Sequence, residues 1–294
     1  MKTIISLLGL ALCMNLTVQA QGFDNITIEA TKLTDKIYVL TGAGGNIGVS
    51  VGDDGVFIID DQFAPLTAKI EAKLKTLSDK PIKYVVNTHF HGDHTGGNAN
   101  MHNLGATIIA HDNVRERLAN EPQRNGTLAP KEALPVITYN DRMSIHMNGE
   151  KVAIVHVDNA HTDGDSMLYF LDSNVLHTGD TYFRGWYPYI DLKSGGSVDG
   201  YIAAVKQGLM LIDDNTKIIP GHGGTESNKV EYLAYLEMLE GLKKIISGEI
   251  EKGRTEDEVA NDTSLTKTYD DQGYSWQFIT SEKIRRTFYK SLKQ

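Results

Sequence analysis

The sequence predicts an α/β protein in which two β-sheets pack face to face and helices cover their outer faces. Two observations favour this fold class. Short stretches rich in β-branched and aromatic residues are followed by amphipathic helical stretches, and this order occurs twice along the chain. No linker rich in proline, serine or glycine separates the two halves. We therefore predict a single folded domain over residues 21–294.

The first half begins as a meander of short strands joined by turns that contain glycine, asparagine and aspartate. These strands are predicted at 26–30, 37–41, 47–51 and 56–60. A helix follows at 65–78, because Pro65 suits a first turn and apolar residues then recur at helical spacing. The remaining elements of this half are predicted as strand 82–87, helix 95–103, strand 106–110 and helix 113–120. A long irregular connection with three prolines leads to the second half.

The second half repeats the order of strands followed by helices. Its strands are predicted at 143–147, 151–157, 167–171 and 175–178, and a last short strand at 217–219. Helices are predicted at 198–212, 226–250 and 280–292 from apolar residues on one face. A capping box at Thr255-Glu256-Asp257-Glu258 opens one more short helix.

The first twenty residues have the composition of a secretory signal peptide. Lys2 supplies the positive start, residues 4–14 form the apolar segment, and a small-residue cleavage site ends at Ala20. We therefore expect residues 1–20 to be removed and the mature protein to be periplasmic or secreted, without a stable membrane anchor. Cys13, the one cysteine of the chain, lies in this segment. The mature protein would then have no thiolate to act as nucleophile or metal ligand.

The balance of charge also limits the function. The formal net charge is −9, and such an acidic chain without a basic cluster is a poor partner for a phosphate backbone. We therefore expect no nucleic-acid partner and no nuclease activity, but a small-molecule substrate. The sequence leaves the oligomeric state open.

A histidine-rich motif follows directly on the predicted strand 82–87. Within six residues it contains His89, His91, Asp93 and His94. Alternate residues of an extended chain share a face, so His89 and His91 are expected to point the same way. Neutral imidazole and carboxylate are typical ligands of zinc and similar divalent ions. The motif therefore predicts a metal site.

Three further polar residues each lie where a predicted strand ends and a turn begins, a common place for binding residues. They are His161, Asp180 and His222. Each alone is more often a turn residue than a ligand, but together with the first motif they form one ordered pattern. The other histidines have no partners at ligand spacing, and we interpret them as ordinary helix, strand or surface residues: His102, His111, His146, His156 and His177.

The ordered pattern His-x-His-x-Asp-His, His, Asp, His resembles that of the metallo-β-lactamase superfamily, and the resemblance covers essentially the whole mature chain. It implies a four-layer αββα sandwich of two mixed sheets, with two Zn²⁺ ions at one edge between the sheets. It also implies the ligands: His89, His91 and His161 for the first ion, Asp93, His94 and His222 for the second, and Asp180 as the bridge.

The resemblance implies a zinc-dependent hydrolase that attacks a carbonyl with a metal-bridging hydroxide. Asp93 is expected to be the catalytic residue that orients this hydroxide. We place β-lactam ring hydrolysis first because the protein is expected to be exported. A lactonase or esterase, or a thioesterase, on the same site is the alternative, because a bridging aspartate resembles the glyoxalase II and lactonase branches.

Another enzyme class on the same scaffold is a mononuclear iron dioxygenase. Its ligand set of two histidines and one carboxylate could be supplied by His89, His161 and Asp180. That alternative would leave His94 and His222 without a metal to bind. A metal-binding protein without activity is disfavoured, because the ligand set leaves coordination positions open.

The remaining candidates lie near the predicted centre. Asp60 ends a predicted strand, and it is interpreted either as a group that supports a ligand or as an ordinary turn carboxylate. The loop after Asp180 contains five aromatic residues around Arg184. Arg184, Trp186 and the nearby Lys193 are our candidates for substrate contacts, because a cation could hold the carboxylate of a penicillin or carbapenem. The same aromatic residues could instead pack an irregular loop.

Overall fold

The computed structural model describes residues 22–123 and 126–293, so the predicted signal peptide lies outside the described residues. The first β-sheet comes from the first half of the chain. Its strands are β1 (Glu29–Lys32), β2 (Ile37–Thr41), β3 (Ile47–Gly52), β4 (Gly55–Ile59), β5 (Ile82–Val86), β6 (Thr107–His111) and β7 (Ile137–Tyr139). They lie in that order across the sheet. Pairing is antiparallel from β1 to β4 and parallel from β4 to β7, so the sheet is mixed.

The second sheet comes from the second half. Its strands are β8 (Arg142–Met147), β9 (Glu150–His156), β10 (Ser166–Phe170), β11 (Val175–His177) and β12 (Lys217–Ile219). Their order across the sheet is β12, β11, β10, β9, β8. The pair β11 and β12 is parallel and the other pairs are antiparallel, so this sheet is mixed as well.

Strand alternation places one face of each sheet in a shared core. In β4, Phe57 and Ile59 pack between the sheets in one cluster with Phe170, whereas Val56 and Ile58 face the other side. That alternation is what two packed sheets require, because each strand then supplies apolar side chains to two different layers.

Helices cover the two outer faces. The first half has α1 (Thr67–Leu77), α2 (Gly92–Thr95), α3 (Asn98–Asn103) and α4 (Asp112–Asn120). Leu74 of α1 and Met101 of α3 share one core cluster with Ile58 of the first sheet. Over the second lie α5 (Val198–Leu211) and α6 (Lys229–Glu251), followed by α7 (Glu256–Asn261), α8 (Lys267–Asp270) and α9 (Ser281–Leu292). The apolar sides of α5, α6 and α9 share one core cluster with Met167, Leu176 and Ile218 of the sheet. The four-layer αββα sandwich of two mixed sheets is therefore confirmed. No helix within the described ranges is long and apolar enough to span a bilayer.

A few elements differ from the prediction, and two of the differences have an identifiable cause. The first strand runs over 29–32 and not 26–30. The helix predicted over 95–103 begins only at Asn98, as α3, because the Gly97 amide donates to Gln62 O and to the Asp61 carboxylate and not to a preceding helical turn. The long helix begins at 229 because the Asn228 side chain caps it. Strand β7 lies in a segment for which we predicted an irregular connection.

Candidate metal centre

The first group of candidate ligands is fixed by the loop that leaves β5. The Thr88 backbone amide and hydroxyl both donate to the Asp60 carboxylate at 2.8 Å. The Asn87 side chain exchanges hydrogen bonds with Asn98 and also donates to His94 O. These five residues are all buried, so their hydrogen bonds are shielded from competition with water. The turn that carries the histidine-rich motif is thereby held in one conformation.

The second group lies on three loops of the second sheet. His161 precedes Thr162, whose amide and hydroxyl donate to Asp165 at 2.7 and 2.6 Å and close that loop. Asp180 lies in a 3₁₀ turn directly after β11. A Cβ atom at Gly221 would lie 2.2 Å from Asp180 Oδ1, so only glycine allows the loop bearing His222 to approach this closely.

The two groups converge at one edge of the sandwich. One donor atom each from His89, His91 and His161 lies within 4.8 Å of the others, and the same holds for Asp93, His94 and His222. Ring nitrogens face each other at short range: His161 Nε2 lies 2.9 Å from His91 Nδ1, and His94 Nε2 lies 3.3 Å from His222 Nε2. Such convergence of lone pairs is the arrangement that a divalent cation requires.

Asp180 lies between the two sets of donors. Its Oδ2 is 3.5 Å from His161 Nε2 and 3.4 Å from His222 Nε2, and its Oδ1 is 3.2 Å from His94 Nε2. The residue is buried, and Oδ1 has no hydrogen-bond partner among the described residues. A buried carboxylate oxygen without a partner is costly unless a cation or proton compensates it. The donor set and this oxygen therefore fit a metal site.

The ring nitrogens that face away from the centre are held by other parts of the fold. His94 Nδ1 donates to Asp60 at 2.7 Å, His161 Nδ1 to Tyr189 O at 2.7 Å, and His91 Nε2 to Asp191 at 3.2 Å. His89 Nδ1 donates to the Thr88 hydroxyl at 3.1 Å. Each bond fixes a ring and leaves its other nitrogen free as an electron-pair donor, as outer groups do around metal-binding histidines.

The electrostatics of the site favour a bound cation. Burial lowers the pKa of His89 well below its ordinary value and that of His161 to about 4, so both rings are neutral at pH 7. Burial alone would raise the pKa of Asp180, but the nearby His222 and His94 hold it well below its ordinary value. Burial alone would lower the pKa values of His94 and His222, but the carboxylates of Asp180 and Asp93 raise the pKa of His94 well above its ordinary value and that of His222 to about 9. A metal ion bound between these carboxylates would take the place of the protons on the two rings.

The candidate substrate residues lie in three different environments. The Arg184 guanidinium forms a two-point ion pair with Glu231, at 2.7 and 2.8 Å. Trp186 is half-buried and stacks on Trp276, with ring centroids 4.8 Å apart. Lys193 is exposed and lies in a 3₁₀ turn that the Asp191 side chain caps.

Sequence reasoning missed two groups that position the centre. Asp191 holds His91 across 100 positions of sequence. Tyr189 holds His161 through a backbone carbonyl, which no side-chain pattern reveals. Neither contact has a signal that could have been found in the sequence, because both depend on how the loops fold together.

Of the two interpretations of Asp60, the structure supports the group that positions a ligand. Its carboxylate lies 2.7 Å from His94 Nδ1. Its φ of 64° is unusual for a residue other than glycine, and such backbone strain is concentrated at functional sites.

Comparisons with known proteins agree with this geometry. The family model described as the Metallo-beta-lactamase superfamily matches residues 40–243. A hydroxyacylglutathione hydrolase of Pelagibacter ubique is 31% identical over 193 residues, which cover 62% of this chain and 72% of that protein.

Two solved structures share the fold. A metallo-beta-lactamase from Pontibacter korlensis has a TM-score of 0.63 and 16% identity, covering 73% of this chain and 99% of the other. The stereoselective inverting sec-alkylsulfatase Pisa1 from Pseudomonas sp. has a TM-score of 0.69 and 18% identity, covering 92% of this chain and 51% of the other. At these identities the likeness concerns the fold alone.

Proposed function

Because this chain belongs to the metallo-β-lactamase superfamily and is a metal-dependent hydrolase, we propose that it uses two zinc ions to hydrolyse small esters or thioesters. The single observation that carries the two-zinc proposal is the position of Asp180. Its carboxylate lies within 3.5 Å of ring nitrogens from both ligand sets, as a bridging ligand must. A mononuclear iron dioxygenase would use one set and leave the other without a role.

In this proposal His89, His91 and His161 hold the first zinc ion, Asp93, His94 and His222 hold the second, and Asp180 binds both. Bound zinc would supply Lewis acidity, which makes water a better nucleophile near neutral pH and polarises a carbonyl. The protein supplies fixed ligands, because the outer nitrogens of His91, His94 and His161 are each hydrogen-bonded.

Asp93 is the proposed catalytic residue. Burial alone would raise its pKa, but the charges of His94 and His222 lower it to about 2, so it is a carboxylate at neutral pH. Its Oδ2 lies 3.4 Å from His222 Nε2 and 3.7 Å from His94 Nε2, at the rim of the centre. A carboxylate there can accept a hydrogen bond from the attacking water and orient it toward a carbonyl carbon.

Two observations support esters or thioesters as substrates ahead of β-lactams. The relative from Pelagibacter ubique carries the name of a thioester hydrolase and is 31% identical over 193 residues. The Arg184 guanidinium, which the sequence suggested as a holder for the lactam carboxylate, is already paired with Glu231. β-Lactam hydrolysis remains the second candidate, because exposed Lys193 could still hold that carboxylate.

The test is metal analysis and steady-state kinetics on the same zinc-loaded protein. We expect two zinc equivalents per chain, and kcat/KM values for a glutathione thioester, an acyl lactone or a simple ester that exceed those for penicillins and carbapenems. One iron and no zinc after zinc-supplemented expression would overturn the two-zinc proposal. A higher kcat/KM for the lactams would overturn the ranking of substrates and leave the metal proposal intact.

We also propose that residues 1–20 are a signal peptide and that the enzyme is periplasmic or secreted. The composition of that segment supports the proposal: a positive start at Lys2, an apolar stretch over residues 4–14 and small residues up to Ala20. Intact-mass analysis of the protein recovered outside the cytoplasm should give a chain that starts at Gln21. A full-length mass that includes Met1 would contradict this proposal.

A further inference from the structure

A curved row of aromatic side chains lies against the metal centre, and we call it the aromatic arc: Tyr189, Phe278, Trp276, Phe183 and Trp186. At one end, the Tyr189 ring lies 5.7 Å from the His91 ring and 5.5 Å from the His161 ring. Toward the other end, Phe183 stacks on His222 with centroids 5.1 Å apart and planes at 13°. The arc therefore contacts both proposed ligand sets.

Neighbouring rings of the arc are in contact throughout. The centroid distances are 5.2 Å from Tyr189 to Phe278, 5.6 Å from Phe278 to Trp276, and 6.0 Å from Trp276 to Phe183. Trp186 stacks on Trp276 at an interplanar angle of 16°. These spacings lie in the range of favourable aromatic pairs, so the rings form one continuous surface.

Two segments far apart in sequence build this surface, and Tyr187 joins them. Its amide donates to Tyr274 O at 2.7 Å, and its carbonyl accepts from Trp276 Nε1 at 2.9 Å. The Tyr187 hydroxyl also donates to Asp270 at 2.7 Å. Residues 274–278 lie outside the range 40–243 that the family model matches. This chain therefore builds part of the arc from a segment beyond the matched part of the family.

The arc leaves one ring partly open to solvent. Phe278 is 49% exposed, and it is the one aromatic residue among the exposed large apolar side chains of the described chain. Of the nearby cations, Arg184 pairs with Glu231, whereas Lys283 Nζ donates to Phe278 O and keeps its charge 5.2 Å from the centre of that ring. A surface made of aromatic rings suits a flat aromatic group.

We propose that the aromatic arc binds an aryl group on the acyl side of the substrate, so that arylacyl esters or thioesters are the preferred class. Phe278 is then a residue that determines specificity, because 49% of its surface stays exposed beside Lys283 and can pack on the substrate's ring. The proposal rests on the proposed hydrolase function for its kinetic test. It also predicts binding that can be measured without turnover.

The kinetic test compares two thioesters of N-acetylcysteamine, the acetyl and the phenylacetyl, on the zinc-loaded mature enzyme. We expect the phenylacetyl thioester to have a kcat/KM at least about tenfold higher, a typical selectivity for one apolar contact. Phe278→Ala should remove most of that preference, mainly by raising KM for the phenylacetyl thioester. Phe278→Tyr should retain the preference. Met210→Ala, at a 79% exposed position on α5, is the matched surface control. It should leave kcat/KM unchanged for both thioesters.

The binding test uses tryptophan fluorescence. The chain has two tryptophans, Trp186 and Trp276, and both belong to the arc. Phenylacetamide should change their emission in a saturable way, and acetamide should not. Phe278→Ala should weaken the affinity for phenylacetamide about tenfold.

The two measurements separate the two proposals. Saturable binding of phenylacetamide without hydrolysis of any thioester would support the arc and overturn the proposed function. Hydrolysis without an acyl preference and without saturable binding would overturn the arc and leave the hydrolase. If Phe278→Ala lowered kcat/KM equally for both thioesters, the arc would also be overturned, because Phe278 would then have only a structural role.

Discussion

Replacing Gly45 with alanine should disable the metal centre without changing any proposed ligand. A Cβ atom at position 45 would lie 2.1 Å from His94 Cε1 and 2.5 Å from His94 Nε2. Carbon atoms in contact stay about 3.5 Å apart, so the imidazole or the loop must move by roughly 1.4 Å. Zinc ligands tolerate errors of only about 0.2 Å in distance. His94 would therefore be lost as a ligand.

The loop that carries Gly45 cannot easily retreat. The Gly45 amide donates to Asp93 O at 3.2 Å, and its carbonyl accepts from Gln62 Nε2 at 2.6 Å. The Asn46 side chain donates to Pro220 O at 2.8 Å on the opposite side. Each hydrogen bond contributes about 1 kcal/mol net, so moving the loop is costly as well.

We expect Gly45→Ala to lower the affinity for the proposed second zinc ion by about 100-fold, the upper range for disturbed groups around a metal. Turnover should fall by about 100-fold, as for a misplacement of 1 Å. Competition with a chromophoric chelator measures the affinity, and steady-state kinetics measures the turnover. If the loop moves and not His94, the loop's hydrogen bonds are lost, and the metal-free variant should have a lower Tm than the metal-free wild type.

Gly92→Ala is the matched control. It adds the same methyl group beside the same ligands, but no atom lies within 4 Å of the new Cβ and the backbone is not left-handed. It should bind zinc as the wild type does. The reasoning is refuted if Gly45→Ala binds two zinc equivalents with an affinity within about threefold of wild type, which is a difference below about 1 kcal/mol. It is also refuted if Gly92→Ala loses as much zinc affinity as Gly45→Ala.

Other substitutions test the bridge, an ion pair and a helix cap. Asp180→Ala should lose about one zinc equivalent and slow turnover by at least about 100-fold. Asp180→Asn keeps the shape of the side chain but not its charge, and it should show the same two losses. Elemental analysis measures the zinc content and steady-state kinetics the turnover. The hydrogen-bonded Arg184 lowers the pKa of Glu231 from 4.5 to about 2. The ion pair therefore stabilises the fold above pH 4.5, and this stabilisation is lost as the pH falls toward 2. The difference in Tm between wild type and Glu231→Gln should accordingly shrink between pH 4.5 and pH 2. Thr255→Val removes the cap that accepts from the Glu258 amide and should cost about 1 kcal/mol, seen as a lower Tm with unchanged kcat/KM.

The fold class could be predicted from the sequence because burial leaves a periodic signal. The predicted strands 37–41 and 217–219 match β2 and β12 at both ends. The position of β7 was missed because the three prolines before it favoured an irregular connection, although Ile137, Thr138 and Tyr139 are residue types that favour strands. Turn-forming residues next to a short strand can therefore hide it.

Within the candidate site, the sequence identified residues by type and order but not by their supporting contacts. The seven candidate ligands follow a pattern that can be read along the chain. Contacts between distant segments, such as Asp191 with His91 or Trp276 with the loop at Tyr187, depend on tertiary packing. Trp276 and Phe278 carried no signal of their own, because aromatic residues are common in ordinary cores.

The candidate ligands are divided between the two sheets. His89, His91, Asp93 and His94 follow β5 of the first sheet, whereas His161, Asp180 and His222 lie on loops of the second. Ions shared by these residues would act as a cross-link between the two halves of the chain, since neither half alone holds a full set. A ligand at a thousandfold its Kd adds about 4 kcal/mol to the stability of the native state. The supply of metal would then set how long the enzyme survives proteases as well as how fast it works, and a chelator should shorten its half-life in a proteolysis assay.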